Sequence, residues 1–231
     1  TQSRSSAASD VYKRQGNVAV GTQCLDASTD GDGNIAIGYD ALSNASVSED
    51  FNIAIGYDTM KGVDEGTAGG DADHNIALGA NTLYGGDFAG NDRQLQGNIA
   101  IGSYALDATA ANAHTGTIAI GHNALTACTS GDANVAIGYS ALGAITTGSS
   151  NIAIGYNSLD GTDDGARNIA MGTYSLSVNC ADDNVAIGYY ALNASTASDN
   201  TALGSYACED LVGGSGNVSI GAESMKDMTL S

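Results

Sequence analysis

The stretch Asn34-Ile35-Ala36-Ile37-Gly38-Tyr39-Asp40-Ala41-Leu42 decides the fold, because the chain repeats it with small changes. Copies begin at Asn17, Asn34, Asn52, Asn75, Asn98, Thr117, Asn134, Asn151, Asn168, Asn184, Asn200 and Asn217. Successive starts lie 17, 18, 23, 23, 19, 17, 17, 17, 16, 16 and 17 residues apart. A fixed core at a near-constant period is the pattern of a solenoid, in which each coil buries its apolar side only by stacking on neighbours. The expected fold class is all-β, a parallel β-solenoid of about twelve coils of ~17 residues.

Counting each copy from its Asn as position zero, positions one and three are aliphatic almost throughout, as in Ile35 and Ile37, and the residue between them is Ala36 or its equivalent. β-Branched residues in alternation predict a short strand with one bulky face and one small face. Position four is Gly in every copy, from Gly21 to Gly221, which predicts either positive φ or close approach of a neighbouring backbone. Leu42 marks position eight, expected at the end of a second short extended piece that carries it back toward the Ile face. The remaining residues of each coil, rich in Gly, Asp, Ser, Thr and Asn, read as an outer turn.

Position zero has two open readings. A buried Asn can hydrogen-bond its equivalent one coil away and build a ladder, or it can serve as a turn residue that tolerates left-handed φ. Tyr recurs at position five (Tyr39, Tyr57, Tyr139, Tyr156, Tyr189) or six (Tyr104, Tyr174, Tyr190, Tyr206). These rings either cover the glycine corner or form a ligand-binding stripe for sugars. Two longer loops, Lys61 to His74 and Tyr84 to Gly97, are adjacent in the stack, and such insertions either bind or are merely tolerated.

Composition narrows the function classes. With 26 acidic against 7 basic residues the formal charge is −19, a surface that repels nucleic acid and anionic lipid. No apolar run is long enough to insert in a membrane. Residues 1–15 lack the repeat; Arg4 to Gln15 resembles a translated adapter remnant, with a disordered natural leader as the alternative. Residues 16–231 are the repeat domain, expected to be a piece of a longer chain that continues past Ser231.

A search for chemistry turns up little. His74, His114 and His122 lack metal-ligand spacing, and no nucleophile elbow or phosphate loop is present, so neither an enzyme nor a cofactor is expected. Asp30-Gly31-Asp32-Gly33-Asn34 opens like a calcium loop but has Ile35 and Ala41 where Gly and Glu belong. Asp163, Asp164, Asp182 and Asp183 fall in consecutive outer turns and are the weak calcium candidates; solvated acidic turns are the alternative. Cys24, Cys128, Cys180 and Cys208 are expected to form no disulfide, Cys128 and Cys180 being placed in loops too far apart to bridge.

The core Asn-(Ile/Val)-Ala-(Ile/Leu)-Gly-x-x-(Ala/Ser)-Leu, matched most strongly at Ile35 to Gly38, resembles the head repeat of trimeric autotransporter adhesins (YadA type) and repeats in phage tail fibres. The resemblance spans Gly16 to Met225. It implies a left-handed parallel β-roll, three chains side by side, and an extracellular head or fibre on a cell surface or virion tail that binds a host-cell, matrix or glycan receptor. A purely structural spacer is the alternative. Self-association also follows from the strand itself. With Ile inside, the alanines present a flat face to another chain; with Ile outside, an aliphatic stripe would meet water. A monomer whose Ala stripe meets solvent is the remaining alternative.

Overall fold

A computed structural model describes residues 16–45, 49–63, 71–85, 94–109 and 113–227. The leader and the centres of the two long loops, residues 64–70 and 86–93, lie outside the described residues. The chain divides into two units, Thr1–Thr117 and Ile118–Ser231. Both are parallel β-solenoids with no helix among the described residues, about eleven turns of ~17 residues in all.

The first unit stacks β1 (Val18–Val20), β2 (Ile35–Ile37), β3 (Ile53–Ile55), β4 (Ile76–Leu78) and β6 (Ile99–Ile101) in chain order. The second stacks β8 (Ile118–Ile120), β9 (Val135–Ile137), β10 (Ile152–Ile154), β11 (Ile169–Met171), β12 (Val185–Ile187), β13 (Thr201–Leu203) and β14 (Val218–Ile220). Register is strict. Ala36 lies opposite Ala54 and Ala54 opposite Ala77, although the intervening coils differ in length. The extra residues of the longer coils pair among themselves: β5 (Leu95–Gln96) runs parallel to β7 (His114–Thr115), and Asp71 bridges to Gln94.

The strand faces are the reverse of one expected arrangement. Ala36, Ala54, Ala77, Ala136, Ala153 and their equivalents up to Ala202 are fully buried, together with Leu42, Leu83, Leu125, Leu142 and Leu159 of position eight, while Ala19 of the first coil is exposed. The Ile columns are outside and half-buried to exposed. Position eight therefore joins the Ala column in the interior, away from the Ile face. A thin coil explains the choice: its interior holds one large residue from the far wall only if the near wall is small, so Leu packs where Ala leaves room. The alanines accordingly offer no surface to another chain.

A third buried column occupies position eleven, in the segment expected to be outer turn. Ser28, Ala45, Val63, Thr109, Cys128, Ile145, Thr162, Ser195 and Leu211 lie there. All four cysteines are free thiols, and Cys128, Cys180 and Cys208 are buried. Burial raises the thiol pKa of Cys128 and Cys180.

The corner is not an extended piece. Gly at position four has φ near +140°, as at Gly38 and Gly155. A Cβ on Gly155 would stand 2.7 Å from the carbonyl carbon and oxygen of Gly172, so both conformation and crowding demand glycine. Positions six and eight then adopt positive φ without glycine: Asp40 at 52° and Leu42 at 51°, Asn157 at 49° and Leu159 at 53°. Each such residue costs about 1–2 kcal/mol in the left-handed region. Hydrogen bonds in opposite directions offset that cost. Asp40 N–H donates to Thr22 O in the preceding coil at 3.0 Å, and Leu42 N–H donates to Thr59 O in the following coil at 2.9 Å. Each corner is thereby stitched to both neighbours.

Candidate functional site

Position zero closes the coils. Asn52 is fully buried; its Oδ1 accepts the N–H of Asn75 at 3.0 Å, and its Nδ2 donates to Ala72 O at 2.6 Å. The same clasp holds Asn34 (to Glu49 O), Asn75 (to Leu95 O) and Asn98 (to His114 O) in the first unit, and Asn134 (to Gly148 O) and Asn151 (to Gly165 O) in the second. The accepting carbonyl always lies three residues before the next position zero, so one amide seals both the strand and its turn. Positive φ sits one residue earlier, at Gly33, Phe51, His74, Ser150 and Arg167. The ladder reading of position zero is therefore the correct one of the two. From Asn168 onward the clasp loosens: Asn168 and Asn200 have buried Nδ2 atoms without a partner, while Asn184 Nδ2 reaches Asn168 Oδ1, Ala181 O and Asp182 O.

This frame holds out two aliphatic columns. In the first unit they run through Ile35, Ile53, Ile76 and Ile99 beside Ile37, Ile55, Leu78 and Ile101. In the second they run through Val135, Ile152, Ile169 and Val185 beside Ile137, Ile154, Met171 and Ile187. No charged residue interrupts either column in either unit. Ile55 is 37 % exposed, Met171 39 % and Leu203 44 %, while the buried Ala between them is at 0 %. Within each unit the face is regular, apolar and open to water.

Tyrosines line the next corner. Tyr39 stacks on Tyr57 with ring centroids 5.3 Å apart and planes within 10°. His122, Tyr139 and Tyr156 continue the pattern in the second unit at 5.3 Å steps. Beyond them the rings turn: Tyr156 meets Tyr174 edge-on, and Tyr189 meets both Tyr190 and Tyr206 edge-on. Lys226 caps the Tyr206 ring at 4.6 Å. Desolvation and neighbouring phenols raise the pKa of Tyr174, Tyr190 and Tyr206. Tyr39, Tyr57, Tyr139 and Tyr156 remain exposed in these runs, each with at least one ring face turned to its stacking neighbour.

The acidic turns hold hydrogen bonds and one cluster of ion pairs. Asp163 N–H donates to Asn179 Oδ1 and Ala166 N–H to Asp182 Oδ1, so Asp163 and Asp182 are not in register. The Asp163 carboxylate takes the Thr146 hydroxyl. Arg167 clamps Asp182 at 2.9 Å and Asp183 at 2.7 Å, and its guanidinium lowers the Asp183 pKa. Asp164 is exposed in the same turn. The four candidates are thus not brought to one point, and no group of three or more metal-ligating side chains exists among the described residues.

Another acidic run was not singled out in the sequence. Asp50 Oδ1 accepts Asp32 N–H at 2.7 Å, and Asp73 Oδ1 accepts Asp50 N–H at 2.6 Å. Desolvation, helped by the Asp71 carboxyl, pushes the Asp73 pKa up to about 6. Lys61 lies between Asp40 (2.7 Å) and Asp58 (3.1 Å), and those hydrogen bonds raise its pKa.

The fold and its repeating face define a parallel β-solenoid repeat protein. No protein-family model matches the chain, and neither a curated protein nor a solved structure matches it.

Proposed function

We propose that this chain is a segment of a homotrimeric extracellular fibre or adhesin head, in which the aliphatic columns pack against the same columns of other copies. The observation that carries the reading is the uncharged double column of Ile, Val, Leu and Met held outward on a rigid ladder. A contiguous apolar face of this kind marks an interaction surface. A surface with a regular step matches best a partner with the same step, and another copy of this chain has it. The acidic turns lie away from this face and keep the assembly soluble.

Attachment to a host-cell, matrix or glycan receptor is the role that the adhesin-type repeat implies for such a head, at a bacterial surface or on a virion tail fibre. The two long loops, Lys61 to His74 and Tyr84 to Gly97, are the natural place for specificity because they depart in length from the otherwise uniform repeat. Deleting the two loops while keeping the coils tests this. An adhesin loses binding to cells and keeps its solution mass; a spacer keeps its mass and shows no cell binding before or after the deletion.

A further inference from the structure

Strict register sets like side chains of neighbouring coils directly over one another, and at position five some of these are phenols. Tyr39 and Tyr57 stack at 5.3 Å with planes 10° apart, and Tyr139 and Tyr156 at 5.3 Å with planes 13° apart. All four are between 44 and 55 % exposed, so both the ring edges and the hydroxyls are open to small molecules. Near-parallel rings in register bring the carbons ortho to each hydroxyl opposite one another, and exposed side chains are free to close the remaining gap. Other tyrosine contacts lack this combination. Tyr156 meets Tyr174 at 74° and Tyr189 meets Tyr206 at 84°, while Tyr190 and Tyr206 are half-buried against the Tyr189 edge.

The rest of the chain leaves these phenols as the accessible one-electron donors. Tryptophan is absent, and Cys128, Cys180 and Cys208 are buried, where a thiol is inert. Exposed Met171 reacts by taking up oxygen. Tyr156, Tyr174, Tyr190 and Tyr206 also touch in sequence at 5.5, 5.1 and 5.8 Å, so a radical formed on one can pass along the run to a pair able to couple.

We propose that Tyr39 with Tyr57, and Tyr139 with Tyr156, are sites of oxidative cross-linking, each pair coupling to dityrosine under a haem peroxidase and hydrogen peroxide. Each phenol gives one electron and one proton to the oxidant. The two phenoxyl radicals join through their ortho carbons, and the hydrogen on each joined carbon moves to oxygen as the rings regain aromaticity. One link thus removes two hydrogens, which reduce one hydrogen peroxide to two waters. It ties adjacent coils covalently and closes a loop in the unfolded chain, a constraint that the backbone ladder alone does not supply. Each pair lies within one chain, so coupling is independent of the assembly proposed above.

The test is peroxidase and hydrogen peroxide on the dilute full chain, followed by denaturing separation and mass spectrometry of the species of single-chain mass. The expected result is dityrosine fluorescence in that species, a mass lower by two hydrogens per link, and cross-linked peptides joining Tyr39 to Tyr57 and Tyr139 to Tyr156. Tyr57→Phe is expected to abolish the first link and Tyr156→Phe the second. Both variants should fold, since Ala80, Ser103 and Thr173 already occupy this column. Absence of dityrosine from the single-chain species overturns the proposal. So do links confined to the similarly exposed Tyr84 and Tyr104, or an undiminished yield in the doubly substituted chain.

Discussion

Asn151 Oδ1 accepts the backbone N–H of Asn168 at 2.9 Å, from a side chain with no exposed surface. Its Nδ2 reaches forward to Gly165 O at 2.8 Å and back to Asn134 Oδ1 at 3.2 Å. One amide thus joins three coils, using an acceptor and a donor that only Asn supplies at this length.

Removing that amide strands its partners. Asn151→Ala leaves the Asn168 N–H and the Gly165 carbonyl without partners, which costs about 2–4 kcal/mol at buried positions. Asn151→Asp keeps the acceptor but sets a carboxylate against two oxygens. It is expected to cost at least as much at pH 7 and to recover partly in acid, where a protonated carboxyl can donate again. Urea midpoints at pH 7 and pH 4.5 check both; equal stability of Asn151→Asp at the two pH values, relative to the parent chain, contradicts the clasp.

Glycines are not equivalent in this chain. Gly155→Ala meets both positive φ and the backbone of Gly172, and is expected to cost more than about 3 kcal/mol. Gly116→Ala, at φ 64° with nothing within 4 Å of its Cβ, is expected to cost about 1 kcal/mol. Thermal unfolding of the pair measures the difference, and similar losses would mean that crowding at the corner contributes nothing.

Asp73 should make stability depend on pH in a defined direction. Its folded pKa of about 6 lies above the ordinary value of 3.8, so the folded state holds the proton more tightly than the unfolded chain. The stability this gives is fully present below about pH 4 and is lost as pH rises through 6. Asp73→Asn keeps an acceptor for Asp50 N–H and removes the charge, so it is expected to raise the melting temperature at pH 7.5 and to leave it nearly unchanged at pH 4. The half-open carboxyl limits the gain to roughly 1 kcal/mol. An identical shift at both pH values would contradict the assignment.

Much of the fold was legible in the sequence because the physics repeats. The recurrence of Asn34 to Leu42 gave the solenoid, its strands and the corner glycine, since each is enforced by contact with a copy of itself. The strand's orientation was not legible: alternation of Ile and Ala states that two faces differ, and only the position of Leu42 in the coil decides which is inside. Positive φ at position six did leave a signature in Asp40, Asp58, Asn81, Asn123 and Asn157, which tolerate it, whereas at Leu42 it left none, because the hydrogen bond to Thr59 of the following coil compensates it. The Position eleven column was hidden for a related reason. Ser28, Val63, Cys128 and Leu211 share burial but neither size nor polarity. The pairing of Arg167 with Asp182 and Asp183 depends on coil register, which loop residues do not announce.

The outward Ile columns are the centre of the functional reading, and the solution mass of the chain tests them most directly. Light scattering after size exclusion should give three times the 23.0 kDa chain mass. Ile137→Lys with Ile154→Lys should reduce it to one chain mass while β-rich circular dichroism is retained, because these side chains contribute little inside their own coil. A parent chain that runs at a single chain mass, with its aliphatic columns in water, would contradict the account.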